Sequence, residues 1–157
     1  HGQDIEYSNR IRKAGLKTAF ISNALVYHRR RTSFKQFFKQ VFNWGVARIN
    51  LAKLDSDMLE IIHFLPTLSL ISSFSLILIF LKIGFSISEI FFTFFIPLFL
   101  LSCFGSLKNK ELKIIPLLLI IIPMQIIGYG AGFAIGFFRR FILNKNEAIG
   151  FKKNYYK

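Results

Sequence analysis

The residues best suited to chemistry lie near the start of the chain, where Asp4 and Glu6 form an acidic pair and His28 follows. Residues after Asp4 recur at helical spacing, so the pair stands at the beginning of a predicted helix. A carboxylate there meets unpaired backbone N–H groups and the positive helix end. Taken alone, Asp4 is either a helix cap or a proton acceptor, and His28 is either an ordinary hydrogen-bonded side chain or a ligand.

The elements that position these residues are predicted from the same stretch. The helix is expected to end at Gly15, because glycine readily adopts the left-handed conformation that terminates helices. Residues 17–21 and 24–27 have β character and are separated by the turn signal Ser22-Asn23. The sequence therefore predicts a helix, a strand, a turn and a second strand that delivers His28.

This arrangement resembles the second half of the catalytic domain in family-2 glycosyltransferases, which have the GT-A fold. The resemblance rests on the motif Gly-x-Asp-x-Glu at residues 2–6, on the Ala-Gly helix end and on the Val-Tyr-His sequence at residues 26–28. The usual form of the first motif is Gly-Glu-Asp-x-[Asp/Glu]. This chain departs from it at Gln3, which replaces the glutamate.

The resemblance implies a role for each residue. Asp4 would be the general base that takes a proton from the acceptor hydroxyl, and His28 would help to hold a divalent metal or the donor diphosphate. Gln3 leaves that base in place but removes a neighbouring negative charge. The implied cofactor is Mg²⁺ or Mn²⁺, with its main ligands expected in upstream sequence. Glu6 is expected to be structural, either at the helix start or paired with Arg10.

Composition indicates a membrane protein. Hydrophobic residues occupy 53% of the 157 positions and include 20 phenylalanines, yet the net charge is +13. This combination fits a membrane protein better than a soluble globule. Nucleic-acid binding is not expected, because the basic residues flank long apolar runs instead of forming one aromatic-laced surface. The single cysteine, Cys103, allows neither an internal disulfide nor a cysteine metal cluster.

The sequence divides near His63. Residues 1–32 are assigned to the end of the catalytic domain and residues 33–60 to an amphipathic interfacial helix region. Residues 64–138 contain the membrane segments, and residues 139–157 form a basic tail. The apolar runs are long enough to cross a hydrocarbon core about 30 Å thick as helices, and they cover about 64–81, 87–104 and 114–138.

The sequence leaves the orientation of these segments open. Sugar nucleotides are cytoplasmic, so the catalytic part and its basic flank are expected inside, as the positive-inside rule requires. Three full crossings would then place the basic tail outside, which contradicts the same rule. Three resolutions remain: a re-entrant first run, which carries Pro66 and the serine cluster Ser69, Ser72 and Ser73, a re-entrant third run, which carries four glycines, or a genuine exception.

A second informative region is the helix predicted after Ser33, which forms a capping box with Gln36. Apolar side chains recur along one side of this helix, and Lys35 and Lys39 lie off that stripe. This pattern is typical of a helix at a membrane interface. The stripe consists of Phe34, Phe37, Phe38, Val41, Trp44, Ala47, Leu51 and Leu54.

Residues 40–44 of this helix, Gln-Val-Phe-Asn-Trp, resemble the Gln-x-x-Arg-Trp signature of membrane-bound family-2 enzymes, including relatives that build exopolysaccharides. The resemblance implies that Gln40 and Trp44 line the acceptor entrance, with an aromatic face for a sugar ring and an amide for the diphosphate. Asn43 stands where the signature has arginine. Arg48 or the arginine cluster at residues 29–31 would then provide the charge.

The predicted fold class is therefore α/β, the end of a GT-A domain, followed by an α-helical membrane region. The predicted function is the C-terminal part of a multi-pass cell-membrane glycosyltransferase, which would be incomplete and inactive alone. It would move a sugar from a nucleotide-sugar donor to a lipid-linked or polysaccharide acceptor in cell-envelope or exopolysaccharide synthesis. The alternatives are a catalytically inactive glycosyltransferase-like subunit and a non-enzymatic membrane protein. An ion pathway is not supported, because Gln125 is the main polar exception in the apolar runs.

Overall fold

The computed structural model describes residues 2–27, 33–147 and 149–151, and the regular structure in these ranges is helical. The five α-helices are α1 Gln3–Lys13, α2 Phe34–Leu54, α3 Leu65–Ile83, α4 Ile87–Lys108 and α5 Ile115–Phe137. Short 3₁₀ turns lie at Ser56–Met58, Ile61–Phe64 and Leu112–Ile114, and a π turn at Phe138–Ile142 continues α5.

The predicted α/β fold is wrong, since the described residues contain no strand. Residues 17–21 and 24–27 run without regular structure on either side of the predicted turn, where the Ala24 N–H donates to the Ile21 carbonyl at 3.2 Å. Phe20 is 94% exposed, so this segment also lacks a packed face. Side chains with β propensity form a strand only where a neighbouring strand accepts the backbone hydrogen bonds, and no such neighbour lies in the described ranges.

Helix α1 begins and ends where the sequence predicts. Gly2 precedes it in a left-handed conformation, with φ of +81°, and Gly15 follows it with φ of +70°. At the C-terminal end the Leu16 N–H reaches back to the Ile11 carbonyl at 3.2 Å, and the Gly15 N–H donates to the Arg12 carbonyl at 3.0 Å. These two bonds form the glycine-dependent stop known as the Schellman motif.

Helix α2 packs along α5 with their backbones in close approach. The two helices run parallel, because each glycine on the contact face of α5 lies 90 positions after its neighbour on α2. A methyl group on Gly132 would collide with the Phe42 carbonyl, and one on Gly45 would collide with the Tyr129 carbonyl. Small residues permit this approach between helices. The matched pairs are Phe38 with Gly128, Phe42 with Gly132, and Val46 with Gly136.

The buried apolar side chains concentrate on this helix pair. Phe133 is the large buried side chain of α5, and it meets the Phe64 ring edge-on with ring centroids 4.9 Å apart. The predicted stripe of α2 divides, since Phe34, Trp44 and Leu54 are exposed. The buried apolar residues of α2 are Val41, Val46, Ala47, Ile49, Leu51 and Ala52.

The three apolar runs form α3, α4 and α5, and all three helices are long and apolar enough to cross a membrane. At 1.5 Å per residue they measure about 28, 33 and 34 Å. Helix α3 contains no buried residue, and α4 buries Ile90, Ser102 and Ser106. Such extensive apolar exposure is compatible with a membrane protein whose helices face lipid.

Candidate functional site

Asp4 lies in the exposed first turn of α1. Its backbone carbonyl accepts a hydrogen bond from Ser8 Oγ at 2.8 Å, whereas its carboxylate makes no hydrogen bond or ion pair within the described residues. Glu6 pairs with Arg10 at 2.8 Å, which confirms the structural role predicted for it. The carboxylate of Asp4 is therefore open to solvent, and its assignment as a base stays a prediction.

Helix α1 is fastened to the end of α2 by a small charged cluster. The Lys13 ammonium contacts the Asp55 carboxylate at 2.5 Å and the Asp57 carboxylate at 3.3 Å. The Asn9 amide donates to the same Asp55 carboxylate at 2.7 Å. At the other end of α1, Gly2 packs on Leu51, where a Cβ atom would press against the leucine side chain. Both ends of α1 thus rest on the C-terminal end of α2.

The charged cluster perturbs both of its main partners. Hydrogen bonds from Lys13 and then Asn9 hold the pKa of Asp55 below its ordinary value. The hydrogen bonds to Asp55 and Asp57 in turn raise the pKa of the Lys13 ammonium. The ion pair is therefore formed throughout the neutral range and weakens only in acid or strong alkali.

Gln40, Trp44 and Arg48 are spaced by four residues, so they follow one another along one side of α2. Gln40 is half-buried and the Trp44 ring is 50% exposed. The Arg48 guanidinium donates to the Met58 carbonyl at 3.3 Å and is partly buried. The helix brings these three side chains to a common side. Gly2, which precedes α1, packs against Ala47, the residue before Arg48, and against Leu51, about one turn after it.

Arg48 also lines a cavity of about 500 Å³ between α2, the turn before α3, and α5. The remaining polar residues of the wall are His63, Gln125 and Tyr129. The Tyr129 hydroxyl is buried, and the Arg48 guanidinium is the charged group that interacts with it. Apolar side chains complete the lining, namely Ile62, Pro66, Ile122 and Ile126.

Asn43, which stands at the arginine position of the signature, lies on another side of α2 and holds the end of the described chain. Its amide donates to the Phe151 carbonyl at 3.0 Å, and its carbonyl accepts from the Phe151 N–H at 2.7 Å. The Phe151 ring packs against Phe42, with centroids 4.9 Å apart, and Lys39 lies 5.7 Å from its centre. Asn43 is buried, and its amide makes the two hydrogen bonds to the Phe151 backbone that a neighbouring strand would make in a sheet.

The C-terminal end of α2 also contacts the turn that continues α5. Lys53 lies 5.0 Å from the centre of the Phe141 ring, in the turn that continues α5. Thr67 near the start of α3 donates to the Gly130 carbonyl at 3.0 Å. Helix α1 and the turn that continues α5 therefore lie together at this end of α2, whereas the start of α3 contacts α5 opposite the first half of α2.

The implied divalent metal finds no ligand set in the described residues. No group of three His, Cys, Asp or Glu side chains there could hold a metal ion. His28, the predicted contributor, and the arginine cluster at residues 29–31 lie outside the described residues. The expectation of Mg²⁺ or Mn²⁺ stays a prediction, and no chemical step is derived through it.

Sequence reasoning missed the cavity and the contact between Asn43 and Phe151. The polar exception Gln125 was a partial signal for the cavity, and the glycines four residues apart in α5 were a signal for close helix packing. Neither signal identifies the partner helix. Comparison with family models, with curated proteins and with solved structures finds no match to this chain.

Proposed function

We propose that the chain forms the membrane-anchoring part of an enzyme that transfers a sugar from a nucleotide-sugar donor to a lipid-linked or polysaccharide acceptor. The observation that supports this proposal best is the docking of α1, with its Gly-x-Asp-x-Glu motif, on α2. Helix α2 bears Gln40, Trp44 and Arg48. One helix thus connects the proposed base to the proposed acceptor contacts.

In this proposal the exposed Asp4 carboxylate takes the proton from the acceptor hydroxyl. The acceptor oxygen attacks the anomeric carbon of the donor sugar, and the bond from that carbon to the nucleoside diphosphate breaks. The half-exposed Trp44 ring offers a stacking face for a sugar, and Gln40 offers an amide. Arg48 supplies positive charge to a phosphate or diphosphate group.

The three apolar helices support the proposed cell-membrane location, because they match the thickness of a hydrocarbon core. The catalytic part is proposed to be cytoplasmic, where sugar nucleotides are present. A multi-pass anchor would keep α2, which packs along α5, within reach of an acceptor that is itself attached to lipid.

Transfer of radiolabelled sugar tests this proposal. Membranes from cells that express the native gene are incubated with a panel of nucleotide sugars, and label is counted in organic extracts and in polymer. Asp4→Asn is expected to lower turnover by roughly 10²–10⁴-fold, because the amide cannot accept the proton.

Glu6→Gln is the matched control, since it removes only the exposed pair with Arg10 and is expected to leave turnover within about twofold. Near-normal turnover by the Asp4→Asn protein would remove Asp4 from the mechanism. Transfer that never exceeds the level of gene-deleted membranes would refute the enzymatic proposal and favour an inactive subunit.

A further inference from the structure

The cavity beside Arg48 contains hydrogen-bonding capacity that the protein leaves unused. Arg48 has five N–H donors, of which one binds the Met58 carbonyl, and the guanidinium also interacts with the Tyr129 hydroxyl, so further donors remain. None of the ion pairs within the described residues includes Arg48. A partly buried guanidinium without a carboxylate is a strong donor site for an anion.

The other polar groups of the wall are compatible with the same anion. The buried Tyr129 hydroxyl interacts with the Arg48 guanidinium, so its oxygen faces a donor while its O–H remains to donate to a ligand. The Nδ1 atom of His63 accepts the Glu60 N–H at 2.9 Å, so its Nε2 atom remains as the other polar atom of the ring. Gln125 adds an amide to the wall. Guanidinium, phenol and amide groups all donate well to phosphate oxygens.

The apolar part of the wall indicates what the anion is attached to. Ile62, Pro66, Ile122 and Ile126 lie on two of the three segments that are long and apolar enough to cross a membrane. The cavity, at about 500 Å³, has the size of a small-molecule site. A ligand that satisfies both parts of the wall is amphipathic, with a phosphate at one end and hydrocarbon at the other.

We propose that this cavity binds the phosphate group of an anionic membrane lipid, with Arg48 as its charged partner and the Tyr129 hydroxyl as a second donor. The acyl chains extend along the exposed apolar surfaces of α3 and α5. Basic pockets between membrane helices recognise lipid headgroups through this combination of charge and hydrocarbon contact. The site stands on the cavity alone and does not require that the protein transfer a sugar.

Binding to the purified 157-residue chain in mild detergent tests the proposal. The probe is a short-chain phosphatidic acid, measured by calorimetry or by native mass spectrometry, with inorganic phosphate and the matching diacylglycerol in parallel. Phosphatidic acid is expected to bind at least about tenfold more tightly than either. Arg48→Gln is expected to weaken its binding by about 10- to 100-fold, the usual effect of losing a hydrogen bond to a charged group.

Two variants keep the test interpretable. Arg48→Lys retains the charge and is expected to bind within about tenfold of the native protein, which excludes loss of folding as the cause. Lys53→Gln removes an exposed cation of the same helix outside the cavity and is expected to change binding by less than about twofold. Equal binding of diacylglycerol would reduce the cavity to an apolar pocket, and equal binding of inorganic phosphate would make it a free-anion site. Either result overturns the lipid assignment, whether or not the protein transfers sugars.

Discussion

Two regions of the molecule are rich in apolar side chains but pack in different ways. In the α2–α5 pair, glycines bring one backbone against the other, and Ile49, Val46 and Phe133 are almost fully buried. In α3 and most of α4, large apolar side chains point away from the protein, and Ile79 is 49% exposed. Apolar content alone therefore does not locate the core of this protein.

The difference follows from the medium around the helices. Lipid is as apolar as leucine, so an apolar helix gains little by leaving lipid for protein, and close helix contact needs small residues or hydrogen bonds. The α2–α5 pair has small residues in its glycine stripe, and the start of α3 is joined to α5 by the hydrogen bond from Thr67 to the Gly130 carbonyl. Beyond that contact α3 has no glycine stripe and no buried residue, so most of its surface remains available to lipid.

The largest effect is expected from a methyl group placed in the helix contact. Gly132→Ala sets a Cβ atom against the Phe42 backbone carbonyl, which cannot rotate away as a side chain does. We expect the free energy of unfolding to fall by at least about 3 kcal/mol, the upper end of the usual cost of overpacking. Thermal unfolding in detergent measures it.

Gly105→Ala is the matched control in α4, because its Cβ would meet only the end of the Leu118 side chain at 3.4 Å. The change is expected to be neutral or to stabilise the protein by up to about 1 kcal/mol through helix propensity. Equal destabilisation by the two substitutions would show that α2 and α5 are not in backbone contact.

The second comparison truncates one isoleucine in each region. Ile49→Ala, in the α2–α5 contact, is expected to cost about 2–5 kcal/mol, because it leaves a cavity in a packed interior. Ile79→Ala on the exposed face of α3 is expected to change stability by less than about 0.5 kcal/mol in detergent. Chemical denaturation of both variants measures the difference, and similar losses would mean that α3 is also packed against protein.

The smallest effect concerns the docking of α1 and its dependence on pH. Because the pKa of Asp55 is lowered in the folded protein, this carboxylate stabilises the docking of α1 at pH values above its ordinary pKa, near 4. That stabilisation is lost as the pH falls further. Because the pKa of Lys13 is raised in the folded protein, its ammonium group stabilises the docking of α1 below about pH 10.5, and this stabilisation is lost at higher pH. Protection of α1 backbone amides from hydrogen exchange should therefore be greatest between these limits.

Lys13→Met is expected to reduce that protection at neutral pH and to weaken its pH dependence. Arg10→Gln, which removes a pair within α1 and leaves the docking cluster intact, is expected to preserve both. Protection that is indifferent to Lys13 would show that packing of Gly2 on Leu51 alone holds the helix.

The features that the sequence predicted correctly are local. Ser33 accepts a hydrogen bond from the Gln36 N–H at 3.3 Å, Gly15 ends α1, and Glu6 pairs with Arg10, all within four residues. Each depends on side chains and backbone groups that are neighbours in any helix or turn. Local chemistry of this kind leaves a clear pattern in the sequence.

The features that the sequence did not predict require partners far along the chain. Residues 17–21 have β propensity, but the described residues offer no strand to pair with them. Asn43 and Phe151 are 108 positions apart, and no pattern in either segment indicates the other. The proposed roles of Asp4, Gln40, Trp44 and Arg48 stay predictions, since they depend on a substrate as well as on the fold.

The parallel α2–α5 pair holds α1 and the start of the basic tail at one end of the molecule. Contacts of Gly2 with Leu51 and of Lys53 with Phe141 support it. If both lie on the same side of the membrane, the three apolar helices cannot all be complete crossings.

Labelling of single cysteines in intact cells tests this claim most directly. In a Cys103→Ser background, Tyr7→Cys marks the exposed face of α1 and Asn146→Cys marks the tail. With a membrane-impermeant maleimide, we expect neither cysteine to be labelled until the cells are permeabilised, when both should react. Strong labelling of Asn146→Cys in intact cells, with Tyr7→Cys still protected, would place the two ends on opposite sides and contradict the account.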